Sequence, residues 1–238
     1  MKKTVLGIKI DDLTIDQSVE IALNWLSKRG KYYLSPFYIT TPNPEIVMMA
    51  QKDIELKNIL NNADLSVPDG MGLKLSGQIE SLTPGVDLME QIIKRSVDYS
   101  FTIGLLGGGL GVAEKAAERL RKKYPGVKIV YTKSGGEVDQ QGRLLKSLKL
   151  PKLDILFVGF GPPKQEKWIA KNLSKIPVKV AMAVGGSLDY LSGTIPRAPF
   201  FLRQLGFEWL FRLMLQPWRI KRQLVLAHYL YKLLTANR

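Results

Sequence analysis

Apolar residues along this chain fall into two alternating rhythms. Short, nearly unbroken apolar runs of strand type are followed by stretches with helical spacing. TVLGIKI (4–10) predicts a strand, and SVEIALNWLSKRG (18–30) an amphipathic helix ending at Gly30. FYITT (37–41) predicts a strand, and NPEIVMMAQKD a helix with Asn43 as N-cap and Pro44 in its first turn. ADLSVPDG reads as a short strand entering a turn. FTIGLLGGG (101–109) is a strand running into glycines, GVAEKAAERLRKKYPG (111–126) a helix, and VKIVYT (127–132) the next strand. LDILFVGFG (153–161) and VKVAMAVGG (178–186) are buried strands, each leading into a helical stretch, PPKQEKWIAKNL and SLDYLSG.

Such strands alternating with helices predict an α/β fold: a mostly parallel sheet with helices on both faces. Ligands on such sheets bind beyond the C-terminal strand ends. Five clusters occupy those ends: Thr40, Thr41 and Asn43; Asp69 and Gly70; Gly107, Gly108 and Gly109; Gly161 to Gln165; Gly185, Gly186 and Asp189. They should converge on one rim.

Each cluster has a structural and a functional meaning. The glycines of GLLGGGLG (104–111) fit either a tight strand-to-helix turn or backbone N–H groups approaching a phosphate. The next strand ends Tyr131-Thr132-Lys133, without the acidic residue that a dinucleotide fold places there for ribose. No Walker A sequence occurs. In VPDGMG (67–72), Asp69 fits an N-cap or a general base that takes a proton from a substrate hydroxyl. In TTPNPEI (40–46), Asn43 caps a helix and Thr41 could hold a sugar hydroxyl. In GFGPPKQEKWI (159–169), Lys164, Gln165 and Glu166 share a first helical turn, where polar residues are commonly solvated.

Composition narrows the chemistry. The 238 residues contain no cysteine and one histidine, His228. Disulfides, thiolate metal sites, Cys nucleophiles and a His-rich metal site are excluded. No Asp-x-Asp pair is present to hold a metal on a nucleotide sugar, so neither metal nor cofactor is expected. The opening MKKTVLGIKIDD does not read as a signal peptide. No repeat or low-complexity tract appears.

The formal charge is +14, and half of it lies in the last 42 residues, which hold eight Lys/Arg and a single acid, Glu208. That asymmetry points to an anionic partner. The spacing predicts helices over 206–216 and 218–234, broken at Pro217. Arg212, Arg219 and Arg222 recur among Trp209, Trp218, Tyr229 and Tyr231. Basic residues with interfacial aromatics suit a membrane surface, and arginine suits a diphosphate. The plainer alternative is a helical hairpin with solvated arginines. The longest apolar run there, 223–231, is far short of the roughly 20 residues that span a bilayer.

Taken in order, TPNPEI, PDGMG, LLGGGLGVAEKAAERL, GFGPPKQEKWI, VGGSLDYLSG and PRAP resemble the WecG/TagA/CpsF family of bacterial glycosyltransferases over nearly the whole chain. The resemblance implies a Rossmann-like catalytic domain, 1–196, and a basic, aromatic, membrane-associating helical appendage, 197–238. It implies an inverting, metal-independent transfer of a hexosamine, N-acetylmannosamine foremost, from a UDP-sugar to undecaprenyl-diphosphate-linked N-acetylglucosamine in surface-polymer synthesis. A uronic acid or glucose donor is the alternative. By motif, Asp69 resembles the catalytic base, with Thr41 and Asn43 beside it. Gln165 would contact substrate, Arg212, Arg219 and Arg222 the diphosphate, and the strand-end glycines with Asp189 would lie near UDP.

One position departs from the family pattern: Leu82 stands where an arginine is common before Gly85-Val86-Asp87-Leu88, which leaves the sugar open. The resemblance further implies a cytoplasmic protein held peripherally at the inner membrane face, and it allows a homo-oligomer. The rivals from another class are a nucleic-acid-binding protein, which would show steeply salt-dependent binding, and a non-catalytic membrane module.

Overall fold

The computed structural model describes residues 2–27, 36–135, 138–143 and 148–236, with the backbone alone at 219, 221–223 and 236. The chain opens with β1 (Lys2–Val5) and β2 (Ile8–Asp11), then α1 (Ile15–Ser27), β3 (Phe37–Thr40), α2 (Pro44–Ala50), α3 (Ile54–Asn61) and β4 (Leu65–Ser66). A 3-10 turn (Met71–Ser76) leads to α4 (Gly85–Tyr99), β5 (Thr102–Gly107), α5 (Val112–Lys123) and β6 (Lys128–Lys133). Then come β7 (Leu153–Gly159), α6 (Lys164–Asn172), β8 (Val178–Ala183) and α7 (Ser187–Leu191). The chain closes with α8 (Phe200–Gln204), α9 (Glu208–Leu215), a 3-10 turn (Pro217–Arg219) and α10 (Ile220–Ala236).

β3 to β8 form one parallel six-stranded sheet in the order β4-β3-β8-β7-β5-β6. Each strand run expected after residue 30 is present. The expected first strand is not one strand but two: β1 and β2 pair antiparallel as a separate hairpin. Leu6 and Gly7 both take positive φ, +47° and +77°, the geometry of a tight two-residue hairpin turn. Residues 28–30 of the expected first helix lie outside the described residues.

Both sheet faces are covered, as in a Rossmann-like fold. On one face, α1, α4 and α5 bury Leu23, Leu88, Ile92 and Ala116 against Ile103, Phe157 and Val180. On the other, Trp168 and Ile169 of α6 pack on Tyr38, Leu156 and Ala181. A third cluster joins the hairpin, α2 and α3, and it includes Tyr229 and Leu233 of α10. The two tail helices therefore differ. α10 buries Tyr229 completely, whereas α9 buries no residue at all.

Candidate active site

Because the sheet is parallel, its C-terminal strand ends share one edge. The backbone beyond β4 stays beside β3: the Val67 N–H donates to the Thr40 carbonyl at 3.0 Å, and the Asp69 N–H to the Pro42 carbonyl at 2.9 Å. Asp69 thereby sits next to Thr41 and Asn43. It does not cap the 3-10 turn that follows it. The 3-10 turn starts from Gly70 at φ +86° and receives no side-chain capping bond. The Asp69 carboxyl instead accepts the N–H of Gly85, at the start of α4.

That carboxyl is crowded by protein atoms, although the residue keeps an open face. Burial, and then the Glu208 charge, push its pKa up to about 7. Asp87 adds to the rise; the Gly85 bond and Arg197 oppose it. A carboxyl poised there suits a general base near neutral pH.

Thr41 is buried with its hydroxyl against Gly85, where a Cβ would lie 2.8 Å from Oγ1. Asn43 caps α2 as expected, its Oδ1 accepting the Ile46 N–H at 3.0 Å. Gly85 therefore has to be glycine to let α4 approach the Thr41 side of the rim.

Across the rim, the strand-end glycines of β5, β7 and β8 pack on one another. A Cβ on Gly107 (φ +114°) would sit 2.5 Å from the Gly159 carbonyl oxygen, and one on Gly159 would sit 2.9 Å from that of Gly185. The Gly108 N–H donates to the Gly159 carbonyl at 2.9 Å. Gly107 and Gly108 thus have a packing role whether or not Gly109 meets a phosphate.

Gln165 and Glu166 are not solvated: they are 2% and 0% exposed. Gln165 Oε1 accepts the N–H of Gly161 at 3.1 Å and of Gly185 at 3.0 Å, tying two strand-end loops together. Its Nε2 donates to Glu166 Oε1 at 2.8 Å. Burial pushes the Glu166 pKa up to about 7, against the lowering effect of the Gln165 bond.

The tail reaches this edge through α9. Arg212 lies 3.5 Å from the Asp189 carboxylate and 4.7 Å from the centre of the Tyr190 ring. A Cβ on Gly186 would come within 2.6 Å of its guanidinium. Arg212, Gly185, Gly186 and Asp189 thus meet at the end of β8, with Asp189 facing a protein cation. Arg219 lies in the 3-10 turn and Arg222 in the first turn of α10; their side chains fall outside the described residues.

Three further residues belong to this edge. Arg197 grips Asp87 through both Nη atoms, at 2.5 and 2.7 Å, and reaches Glu208 through Nε at 3.2 Å. Asp87 and Arg197 stand in the GVDL and PRAP motifs, but their pairing spans 110 positions and no local pattern announces it. Among the described residues, no three His, Cys, Asp or Glu side chains gather into a metal-ligand set. No helix there is long and apolar enough to cross a membrane.

Residues 3–238 match the model of the "Glycosyl transferase WecG/TagA/CpsF family". Relatives from Staphylococcus aureus strains MRSA252 and NCTC 8325 / PS 47 are each 32% identical over 243 residues, covering all of this chain and 94% of their own. Both are named N-acetylglucosaminyldiphosphoundecaprenol N-acetyl-beta-D-mannosaminyltransferase. A parallel sheet with a rim carboxyl on its C-terminal edge accords with matches of this length, which make the chain a member of the WecG/TagA/CpsF family of glycosyltransferases.

Proposed function

We infer that the protein moves N-acetylmannosamine from its UDP donor to N-acetylglucosamine carried on undecaprenyl diphosphate, in one inverting, metal-independent step. The relatives' shared name supports the transferred sugar and the acceptor. The observation that supports the chemistry is Asp69: a rim carboxyl that does not cap the 3-10 turn beside it, with an open face and a pKa pushed up to about 7.

In this reading Asp69 takes the proton of the acceptor hydroxyl as that oxygen attacks the anomeric carbon. The bond to UDP breaks on the opposite face, which inverts the sugar. Thr41 and Asn43 border the acceptor. Negative charge grows on the departing diphosphate, and fixed cations stabilise it there. Arg212, at the end of β8, is the described candidate, and Arg219 and Arg222 extend the same set along the tail. The loops that Gln165 ties together, with Gly109, Gly161, Gly186 and Asp189, would border the nucleotide. With no Asp-x-Asp pair in the sequence, arginine takes the part that a metal plays elsewhere.

Residues 197–238 act as an appendage that completes the site at the lipid surface. Phe200, Phe201, Trp209, Trp218 and Tyr231 are exposed beside the basic residues, a composition suited to the inner face of an anionic membrane.

The test is UDP release by the purified chain across several UDP-sugars, with a polyprenyl-diphosphate N-acetylglucosamine analogue. Turnover with the N-acetylmannosamine donor, undiminished by EDTA, is the expected result. Preference for a glucose or uronic acid donor would reassign the sugar, and strong EDTA inhibition would remove the arginines from the diphosphate chemistry.

A further inference from the structure

The contact between tail and rim has a composition of its own. Glu208 is the single acid in the last 42 residues, and it lies in the first turn of α9. Among the described residues, the charged groups facing the Asp69 carboxyl come from three elements: Glu208 from α9, Asp87 from α4, and Arg197 from the connection between α7 and α8. One guanidinium therefore serves Asp87 and Glu208, with Asp69 as a third carboxyl nearby.

Without Glu208, Asp87 and Arg197 form a bidentate, neutral pair. With Glu208 seated, the cluster carries an unbalanced negative charge next to Asp69. α9 buries no side chain, so packing alone does not hold it there. Among the described residues, two polar clamps fasten it, Glu208 on Arg197 and Arg212 on Asp189. Both pairs are partly exposed, which makes them reversible rather than core contacts.

We propose that Glu208 is a positioning residue for Asp69: carried in by α9 and seated on Arg197, it makes Asp69 a stronger proton acceptor only while the tail is docked. A free rim then holds a weaker base, its pKa raised by burial and Asp87 without Glu208, and a docked one holds a base matched to neutral pH. This inference rests on reading Asp69 as the base.

The test is the pH dependence of kcat/KM for the full chain and for Glu208→Gln, Glu208→Asp and Asp69→Asn, using the same analogue. Glu208→Gln keeps an oxygen for Arg197 Nε but removes the charge. Its acidic limb should move down by about 0.5–1 pH unit, with a plateau about two- to threefold lower. Glu208→Asp keeps the charge and should restore the limb to within about 0.3 pH unit of the parent. A Glu208→Gln profile that falls uniformly, or not at all, with its limb unmoved overturns the inference. Full activity in Asp69→Asn overturns the base itself, so the two failures are distinguishable.

Discussion

Two carboxyls in this molecule, Asp69 and Glu166, have pKa values pushed to about 7, both chiefly by burial. Their surroundings share nothing else. Asp69 keeps an open face on the rim and is ringed by two carboxylates and a guanidinium. Glu166 is sealed beneath the β7 and β8 loops, with Gln165 bonded to Oε1 and, among the described residues, no partner on Oε2. A raised pKa alone therefore does not identify a base. Exposure separates the two: Asp69 keeps an open face on the rim, and Glu166 is 0% exposed. Glu166 is placed to fix the Gln165 amide, and through it the two loops.

The largest effect should separate the pair outright. Asp69→Asn removes the proposed proton acceptor, and general-base loss typically costs about 10²–10⁴-fold. UDP release should fall by that much while UDP binding, followed by calorimetry, persists. Glu166→Gln keeps an oxygen for Gln165 and should hold kcat within about threefold, as expected when a buried acid is replaced by its neutral isostere. Equal losses in the two variants would erase the distinction.

That distinction is hard to read from sequence. The sheet was legible because parallel strands buried on both faces must be continuous apolar runs, and β5, β7 and β8 are such runs. The hairpin was not, because Leu6-Gly7 lies inside an apolar run and lacks the polar residues that usually mark a turn. The PDG triplet fits a cap and a base equally well. The positive φ of Gly70 and the contact with Gly85, both set by distant packing, take the carboxyl away from the 3-10 turn. Glu166 reads as a solvated first-turn residue until α6 is laid on the sheet, which turns that side chain inward. Arg197 was visible as a motif residue, but its partners Asp87 and Glu208 come from separate elements.

A smaller effect concerns stability. An acid whose pKa is raised by folding stabilises the fold fully below its unfolded pKa, and that contribution is lost as pH rises through the folded value. For Glu166 the window runs from 4.5 to about 7. Its sealed site gives water no way to relieve the charge, so the loss approaches about 3 kcal/mol. Glu166→Gln should flatten the fall in urea midpoint between pH 5 and pH 8. Asp69→Asn should flatten it less, because the open face of Asp69 admits solvent. A larger change from Asp69 would place the more deeply desolvated acid on the rim.

The smallest effect tests what surrounds Glu166. Tyr38 is buried on the same sheet face, and burial, then the Glu166 charge, raise its pKa well above the usual value. Its hydroxyl and that of nearby Thr40 form no well-shaped hydrogen bond. Removing a buried hydroxyl without a partner relieves a desolvation cost, whereas removing one from a satisfied network costs about 1 kcal/mol. Tyr38→Phe should therefore leave the urea midpoint unchanged or raise stability by up to about 1 kcal/mol, with UDP release unaffected. A loss of stability confined to low pH would mean that protonated Glu166 bonds to the Tyr38 hydroxyl. The sealed acid would then belong to a hydrogen-bonded network, and its contrast with the rim acid would rest on access alone.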